Sequence, residues 1–421
     1  MNNRILVGCV ADDFTGASDA ASFLISKGLK TLLFNGIPNG NIADCNAVVI
    51  ALKSRTQETK SAVADSMAAF KWLKDNGAEH VYFKYCSTFD STKEGNIGPV
   101  TDAVLEEFNE KYTILCPALP VNKRTVKDGI LYVDDIPLAE THMKNHPLTP
   151  MWESEIAKLM KPQGKYETLN INQDTLKKSK EEILKIVEDF GKDKEHFYIV
   201  PDYITDEDGI KISEVFGDIG VLTGGSGILA PLSAKYKELL GDSDNKIVSS
   251  STKGKGIVLA GSCSKATLGQ IDNFKSKGYL SYKVEPLKLI KGEETIDNVW
   301  NFVLENSDKE VLIYSSDSAE NVIEIQKEGK EKVAEALEGM TAEIAKRASE
   351  KGYTRIIVAG GETSSAVAKK LGYNSFEIGE SIAPGVPVMA PLSDMNMRIV
   401  LKSGNFGQED FFERALNITR G

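Results

Sequence analysis

The sequence lacks an apolar run long enough to cross a membrane, and it lacks the paired cysteines of a disulfide-stapled scaffold. Its mean hydropathy is −0.22, and no stretch approaches the roughly 20 apolar residues that a bilayer-spanning helix needs. The five cysteines are scattered without a CxxC pair, so we expect buried, reduced thiols. Asp12 and Asp13 interrupt the first apolar run, whereas a signal peptide needs a longer apolar core. These absences predict a cytoplasmic protein.

An excess of positive charge is also absent. Fifty basic residues against 61 acidic ones give a net charge of −11, which argues against a nucleic acid as the main partner. At 421 residues, 41% of them apolar, the chain has the length and composition of a globular protein with two or three domains. We therefore expect small-molecule partners and neither nucleic acid nor membrane, with a homodimer left open.

Short apolar runs alternate with helical patterns in two successive halves, which is typical of parallel strands joined by crossover helices. The strands are continuously apolar, which indicates that both faces of each sheet are covered. The text GDSDNKIVSSSTKGK, at residues 241–255, reads as a linker. We predict an α/β protein with two domains, residues 1–245 and 254–421. Each is a mainly parallel sheet with helices on both faces, and the active site lies in the cleft between the domains.

Two further segments carry expectations. Residues 117–150 are polar and rich in proline and show no clear period, so we expect this segment to be functional. Residues 173–191 have the pattern of one charged helix.

Small polar residues follow several predicted strands at the point where a helix begins. In the C-terminal half these are the turns in LAGSCSKAT and VAGGETSSA, joined by the later loop KSGNFG. Helix starts at the carboxyl ends of parallel strands offer free N–H groups to anions, so the three turns together predict a nucleotide site. Neither GxxxxGK[ST] nor GxGxxG is present, which excludes the P-loop and the dinucleotide fingerprint. The alternative is that these residues only satisfy turn and capping geometry.

Acidic and basic residues follow the predicted strands of the N-terminal half, a combination that suits a small polyhydroxy anion. Lys or Arg would hold a carboxylate, and an Asp would accept a hydroxyl proton as general base. The alternatives are solvated surface charges and, for the aspartate pair, a helix N-cap. His142 and His146 lack the glutamate of a zinc-binding HExxH motif, so we do not expect a metal site there. We expect His146 to contact substrate, and ordinary packing of the loop is the alternative. The catalytic candidates are Asp13 and Asp12, and the substrate-binding candidates are Lys53, Arg55, Lys84, Asp90, Arg124 and His146.

Taken in order, a set of segments resembles the four-carbon acid sugar kinase family over nearly the whole chain. The segments are ADDFTGASD, KYCSTFDST, GNIGPVTDA, CPALPVNKRTV, HPLTPM, LTGGSG, GSCSKAT, AGGETSSAV and LKSGNFG. The resemblance implies a sugar-acid-binding domain followed by a nucleotide-binding domain, and phosphorylation of a terminal hydroxyl by ATP with Mg²⁺. The STFDST segment most resembles the branch of the family that converts 3-oxo-tetronate to its 4-phosphate. D-threonate or D-erythronate as substrate, and a sugar-acid sensor without catalysis, are the alternatives.

The resemblance also assigns nucleotide contacts and shows one departure. By position in the motifs, the contacts fall on Ser262, Ser264, Gly360, Gly361, Glu362, Thr363 and Gly404. The ligands of Mg²⁺ are not assigned. Where relatives commonly have glycine before the arginine of the VNxRT segment, this chain has Lys123, which adds a charge near the expected substrate.

Overall fold

The computed structural model describes residues 4–145, 149–241, 247–318, 321–322, 325, 327 and 329–421. The chain divides into two compact units, residues 1–246 and 247–421. Within the described residues, no helix is both long and apolar enough to span a membrane.

The N-terminal unit is built on one parallel sheet in the order β2-β3-β1-β4-β11-β5-β10-β9. Its strands are β1 (Val7–Ala11), β2 (Thr31–Asn35), β3 (Ala47–Ala51), β4 (His80–Lys84), β5 (Tyr112–Cys116), β9 (Thr168–Ile171), β10 (Phe197–Pro201) and β11 (Val221–Gly224). β1, β3 and β10 are buried along their whole length, as their continuous apolar sequences predict.

Helices cover both faces of this sheet. They are α1 (Phe14–Ser26), α2 (Thr59–Asp75), α3 (Ile97–Glu107), α4 (Ile156–Met160), α5 (Gln173–Leu176), α6 (Lys180–Gly191), α7 (Asp206–Phe216) and α8 (Leu229–Glu238). The chain leaves β1 towards β2 on one side and β4 towards β5 on the other, so right-handed crossovers place their helices on opposite faces. Accordingly α1, α8, α7 and α6 contact one another in sequence, while α2 contacts α3.

One expectation for the middle of this unit is wrong, and a second segment contains strands that its sequence does not show. Residues 173–191 form two helices, because the Ser179 side chain makes a capping box with Glu182 and starts α6 afresh. The aperiodic segment 117–150 contains a small antiparallel sheet of β6 (Arg124–Lys127), β7 (Ile130–Val133) and β8 (Ile136–Pro137). Its strands are too short to show a period in the sequence.

The C-terminal unit has a mainly parallel sheet in the order β13-β14-β12-β15-β18-β17-β16, with β17 antiparallel to both of its neighbours. The strands are β12 (Lys255–Ala260), β13 (Leu280–Lys283), β14 (Val311–Tyr314), β15 (Tyr353–Ala359), β16 (Ser375–Ala383), β17 (Val386–Pro391) and β18 (Arg398–Lys402). No strand after β15 is predicted from the sequence, and β16, β17 and β18 are seen only in the structure.

Helices flank this second sheet as well. They are α9 (Lys265–Ser276), α10 (Pro286–Lys291), α11 (Ile296–Glu305), α12 (Lys330–Glu350), α13 (Gly361–Leu371) and α14 (Phe411–Thr419). α9 contacts α14, whereas α12 contacts α10, α11 and α13. The predicted fold class, two α/β units on mainly parallel sheets, is confirmed.

The end of the predicted linker is bound to the C-terminal unit. The Arg398 guanidinium donates to the Ser249 carbonyl at 2.7 Å, and the Thr252 N–H donates to the Thr419 carbonyl at 2.9 Å. The five cysteines are unpaired, but Cys263 is exposed, so the expectation of buried thiols is wrong for that residue. It lies in the turn after β12, where the chain leaves the sheet.

Candidate active site

At the carboxyl edge of the N-terminal sheet, one arginine that follows β3 links the acidic residues that follow the neighbouring strands β1 and β4. The Arg55 Nε and Nη2 atoms donate to the two carboxylate oxygens of Asp12 at 2.9 and 2.8 Å. Its Nη1 atom lies 3.1 Å from Asp13 Oδ2 and 4.0 Å from Asp90 Oδ2. Burial lowers the pKa of Arg55, but Asp12 and Asp13 outweigh it and hold the pKa well above the ordinary value. The structure thus brings four of the predicted residues together.

The two adjacent aspartates have different surroundings. The Asp12 side chain is 5% exposed and is fully engaged by Arg55, whereas that of Asp13 is 34% exposed. Asp13 is also the N-cap of α1, and its Oδ1 atom accepts from the Gly16 N–H at 2.6 Å. Capping occupies one oxygen of Asp13, so the capping and functional interpretations are compatible. Of the two, Asp13 is the carboxylate that solvent or a ligand reaches.

Lys84 is buried at the end of β4 and faces the start of α1. Its ammonium donates to the Tyr85 carbonyl at 2.9 Å and lies 3.8 Å from Asp19 Oδ2. Burial raises the pKa of Asp19 to about 6, against the opposing effect of Lys84. A Cβ atom on Gly16 would lie 2.4 Å from Asp13 Oδ1 and 3.2 Å from Lys84 Nζ. Glycine is required there because the carboxylate and the ammonium both pack against that backbone.

Asn96 is a residue of this edge that the sequence analysis missed. Its side-chain amide donates to the carbonyls of Ser54 and Gln57, at 2.7 and 2.8 Å, and it thereby holds the loop that carries Arg55. The GNIGPVTDA segment contained the residue, but only the fold places it beside the loop after β3.

Three predicted substrate residues are not joined to this cluster by the contacts of the described residues. Lys53 is exposed. Arg124 lies at the start of β6 and its guanidinium donates to the Asn122 carbonyl. His146 lies outside the described residues. Lys123, the departure from the expected family pattern, has a left-handed backbone with φ of 58°, a conformation that favours glycine. Its side chain is 76% exposed and lies 3.7 Å from Asp134.

In the C-terminal unit, the three predicted turns meet where β12, β15 and β18 end. The Gly360 N–H donates to the Lys402 carbonyl at 2.9 Å, and the Ser262 N–H donates to the Ala359 carbonyl at 3.3 Å. Ser264 is the N-cap of α9, and its hydroxyl donates to the Gly404 carbonyl at 2.6 Å. The capping serine therefore also binds the late glycine loop to the first turn.

Two glycines permit this close approach. A Cβ atom on Gly404 would lie 2.3 Å from Ser262 Oγ, which is far inside van der Waals contact. Gly360 has φ of 130°, and a Cβ atom there would lie 2.9 Å from Thr363 Oγ1, so both the space and the backbone exclude a side chain.

A cavity of about 610 Å³ opens beside these turns, within the size range of small-molecule sites. Gly261, Ser262 and residues 360–363 line one part, and Val333 and Leu337 of α12 line another. α13 begins at Gly361, and no side chain caps the N–H groups of its first turn. These N–H groups are therefore available to an anion.

The carboxylates around this cavity suit a cation that arrives with a polyphosphate rather than a resident metal ion. Asp317, Glu338 and Glu362 line the cavity, yet among the described residues no group of three or more His, Cys, Asp or Glu side chains could hold a metal. Asp317 is already bound by Lys283 at 2.8 Å. Mg²⁺ usually needs only one or two protein carboxylates beside substrate phosphates, which this lining provides.

Gln270 and Thr267 of α9 are further residues that the sequence analysis missed. The Gln270 amide donates to the carbonyls of Phe406 and Gly407, both at 3.0 Å, and the Thr267 hydroxyl donates to the Gly404 carbonyl at 3.0 Å. The late glycine loop is thus held along its length by side chains of one helix.

The two units match two different family models. Residues 7–232 match a family described as a sugar-binding N-terminal domain, and residues 257–412 match a nucleotide-binding C-terminal domain. The two matches therefore define a sugar-binding domain followed by a nucleotide-binding domain.

Individual relatives are similar over almost the full chain. The 3-oxo-tetronate kinase of Haemophilus influenzae is 41% identical over 97% of this chain and 99% of its own length. The enzyme of the same name from Brucella melitensis is 40% identical over 98% of this chain and 95% of its own. A solved structure from Salmonella typhimurium, provisionally described as a tRNA synthase, is 36% identical, covers 98% of this chain and 99% of its own, and has a TM-score of 0.90. The chain belongs to the four-carbon acid sugar kinase family.

Proposed function

We propose that this protein is an ATP-dependent kinase that transfers a phosphoryl group to the C4 hydroxyl of 3-oxo-tetronate. Family membership and the full-length similarity to enzymes named 3-oxo-tetronate kinase support the activity and the substrate. The observation that carries the proposal is the convergence of two of the turns, residues 261–263 and 360–363, on one cavity of the C-terminal unit, with the late glycine loop hydrogen-bonded to the first turn through Ser264.

The nucleotide would bind with its phosphates on these turns. The first turn of α13 offers backbone N–H groups and the positive end of a helix. A Cβ atom placed on either Gly261 or Gly360 would meet the Thr363 hydroxyl first, so this hydroxyl lies between the two turns. The apolar surface of Val333 and Leu337 suits the purine base. Mg²⁺ would supply charge neutralisation on the phosphates, with Glu362 as the exposed carboxylate next to the turn.

The acceptor sugar acid would bind at the carboxyl edge of the N-terminal sheet. Asp13 is the proposed group that orients or deprotonates the C4 hydroxyl, because it is the exposed carboxylate of the pair. Arg55 holds Asp12 and Asp13 in place. The Lys84 ammonium packs against the backbone of Gly16, as the Asp13 carboxylate does, and adds a positive charge there. Binding of the substrate carboxylate by Arg55, Lys53 and Arg124, and contacts from Asp90 and His146, stay predictions.

Other expectations from the sequence also stay predictions. They are the site in a cleft between the units, the homodimer and the cytoplasmic location.

A coupled assay of ADP release tests the activity and the substrate together. We expect turnover with 3-oxo-tetronate and a kcat/KM at least 10-fold lower for D-threonate and D-erythronate, because the keto group changes the shape and hydrogen bonding at C3. Fastest turnover with D-threonate or D-erythronate would transfer the assignment to that acid. Binding of the acid without any ADP release would favour the sensor instead.

A further inference from the structure

Lys402 is a fully buried lysine at the end of β18, and the late glycine loop follows it directly in the chain. Its side chain is 0% exposed. Its Nζ atom donates to Thr267 Oγ1 at 3.0 Å, to the Ser403 carbonyl at 3.2 Å and to the Gly404 carbonyl at 2.8 Å. The ammonium form has three N–H donors, so every donor of the charged form is used by α9 or by the glycine loop. None is left to bind a phosphate directly.

No acidic side chain in the described part of the chain compensates this charge. Among the described residues, no carboxylate lies within ion-pair distance of Lys402, and the groups that face it are the Thr267 hydroxyl, two loop carbonyls and the Phe411 ring at 5.7 Å. Burial of an unpaired charge is unfavourable, and the Gly404 carbonyl already accepts from Ser264 and Thr267. Lysine is thus an unfavourable choice for stability at this position, which is typical of a functional residue.

We propose that Lys402 is a positioning residue and internal counter-charge of the nucleotide site, which fixes the glycine loop against α9 and offsets the phosphate charge without touching the nucleotide. This inference rests on the proposed ATP site. It assigns to Lys402 a role that the motif residues Ser262, Ser264 and Gly404 do not fill, because none of them carries a charge.

Protonation should then be coupled to nucleotide binding. Burial lowers the pKa of Lys402 from 10.5 to about 7, so the amine is mostly neutral in the free protein at pH 8. A polyanion bound in front of the loop favours the ammonium form and raises this pKa. Binding of ADP at pH 8 should therefore take up a fraction of a proton, approaching one.

Titration calorimetry of the full chain with ADP at pH 8, in phosphate and in Tris, measures this uptake from the difference in apparent enthalpy. We expect proton uptake in the wild type. Lys402→Met should abolish the uptake and weaken ADP binding by about 10-fold, through loss of one interior charge. Lys402→Arg should retain affinity without proton uptake, because arginine stays charged. Unfolding of each variant is measured in parallel, and Lys402→Met should be at least as stable as the wild type.

The outcomes separate this inference from the proposed function. ADP binding and proton uptake unchanged in Lys402→Met would overturn the role of Lys402 and leave the ATP site standing. A marked loss of stability in that variant would overturn it too, because the residue would then be structural. A wild type that binds no ADP would overturn the proposed function together with the inference.

Discussion

The substitution Gly404→Ala tests the glycine loop with a single methyl group. The new Cβ atom would lie 2.3 Å from Ser262 Oγ and 3.1 Å from Ser264 Oγ. Either the loop moves away from α9, or Ser262 rotates and loses the hydrogen bond from the Ser264 N–H at 3.2 Å. Overpacking of this kind costs about 1–3 kcal/mol.

If that cost falls on nucleotide binding, the KM for ATP should rise by roughly 5- to 150-fold. Steady-state kinetics with ATP varied at saturating sugar acid measures this change. The KM for the sugar acid should change little, because its predicted contacts lie on residues of the N-terminal unit.

Gly339→Ala is the matched control. Gly339 lies inside α12, and a Cβ atom there would meet nothing within 4 Å. The control should raise the free energy of unfolding by about 0.5–1 kcal/mol, because alanine favours the helix, and should leave both KM values unchanged. An unchanged KM for ATP in a folded Gly404→Ala protein would refute the assignment of this loop.

Three further predictions concern the N-terminal unit. Asp13→Asn should lower kcat by about 10²-fold or more if Asp13 is the base, and it should fold because asparagine also caps helices; an unchanged kcat removes the assignment. Arg55→Met should lower the free energy of unfolding by about 3 kcal/mol, because it leaves Asp12 buried without its partner, and denaturant unfolding should show partial recovery when Asp12→Asn is added. The raised pKa of Asp19, about 6, means that the folded protein binds this proton more tightly than the unfolded chain. As pH rises from 4 to 7, the wild type should therefore lose about 2 kcal/mol relative to Asp19→Asn, and parallel dependence of the two unfolding free energies on pH would contradict this.

Features that depend on local sequence could be predicted. Continuous apolar runs predicted strands that are covered on both faces, and β4, β5 and β10 are such strands, since burial on both faces favours apolar residues at successive positions. Small residues at strand ends located the turns that meet beside the cavity of the C-terminal unit, because the carboxyl ends of parallel strands lie at one edge of the sheet. Nucleotide binding by these turns stays a prediction.

Features that depend on which strands are neighbours could not be predicted. Arg55 and Asp12 are 43 residues apart, and their pairing follows only from the parallel register of β1 with β3. Likewise Lys402 is a lysine in an apolar strand, and nothing in its sequence shows that its three acceptors come from α9 and the loop beyond it. Whether a charged side chain binds a ligand or holds other residues in place therefore depends on residues that are distant in the sequence.

The most direct measurement is a crystal structure of the full chain with a non-hydrolysable ATP analogue and Mg²⁺. We predict phosphates on the turns at residues 261–264 and 360–363 and the base against α12. A nucleotide bound elsewhere, with these turns empty, would contradict the account.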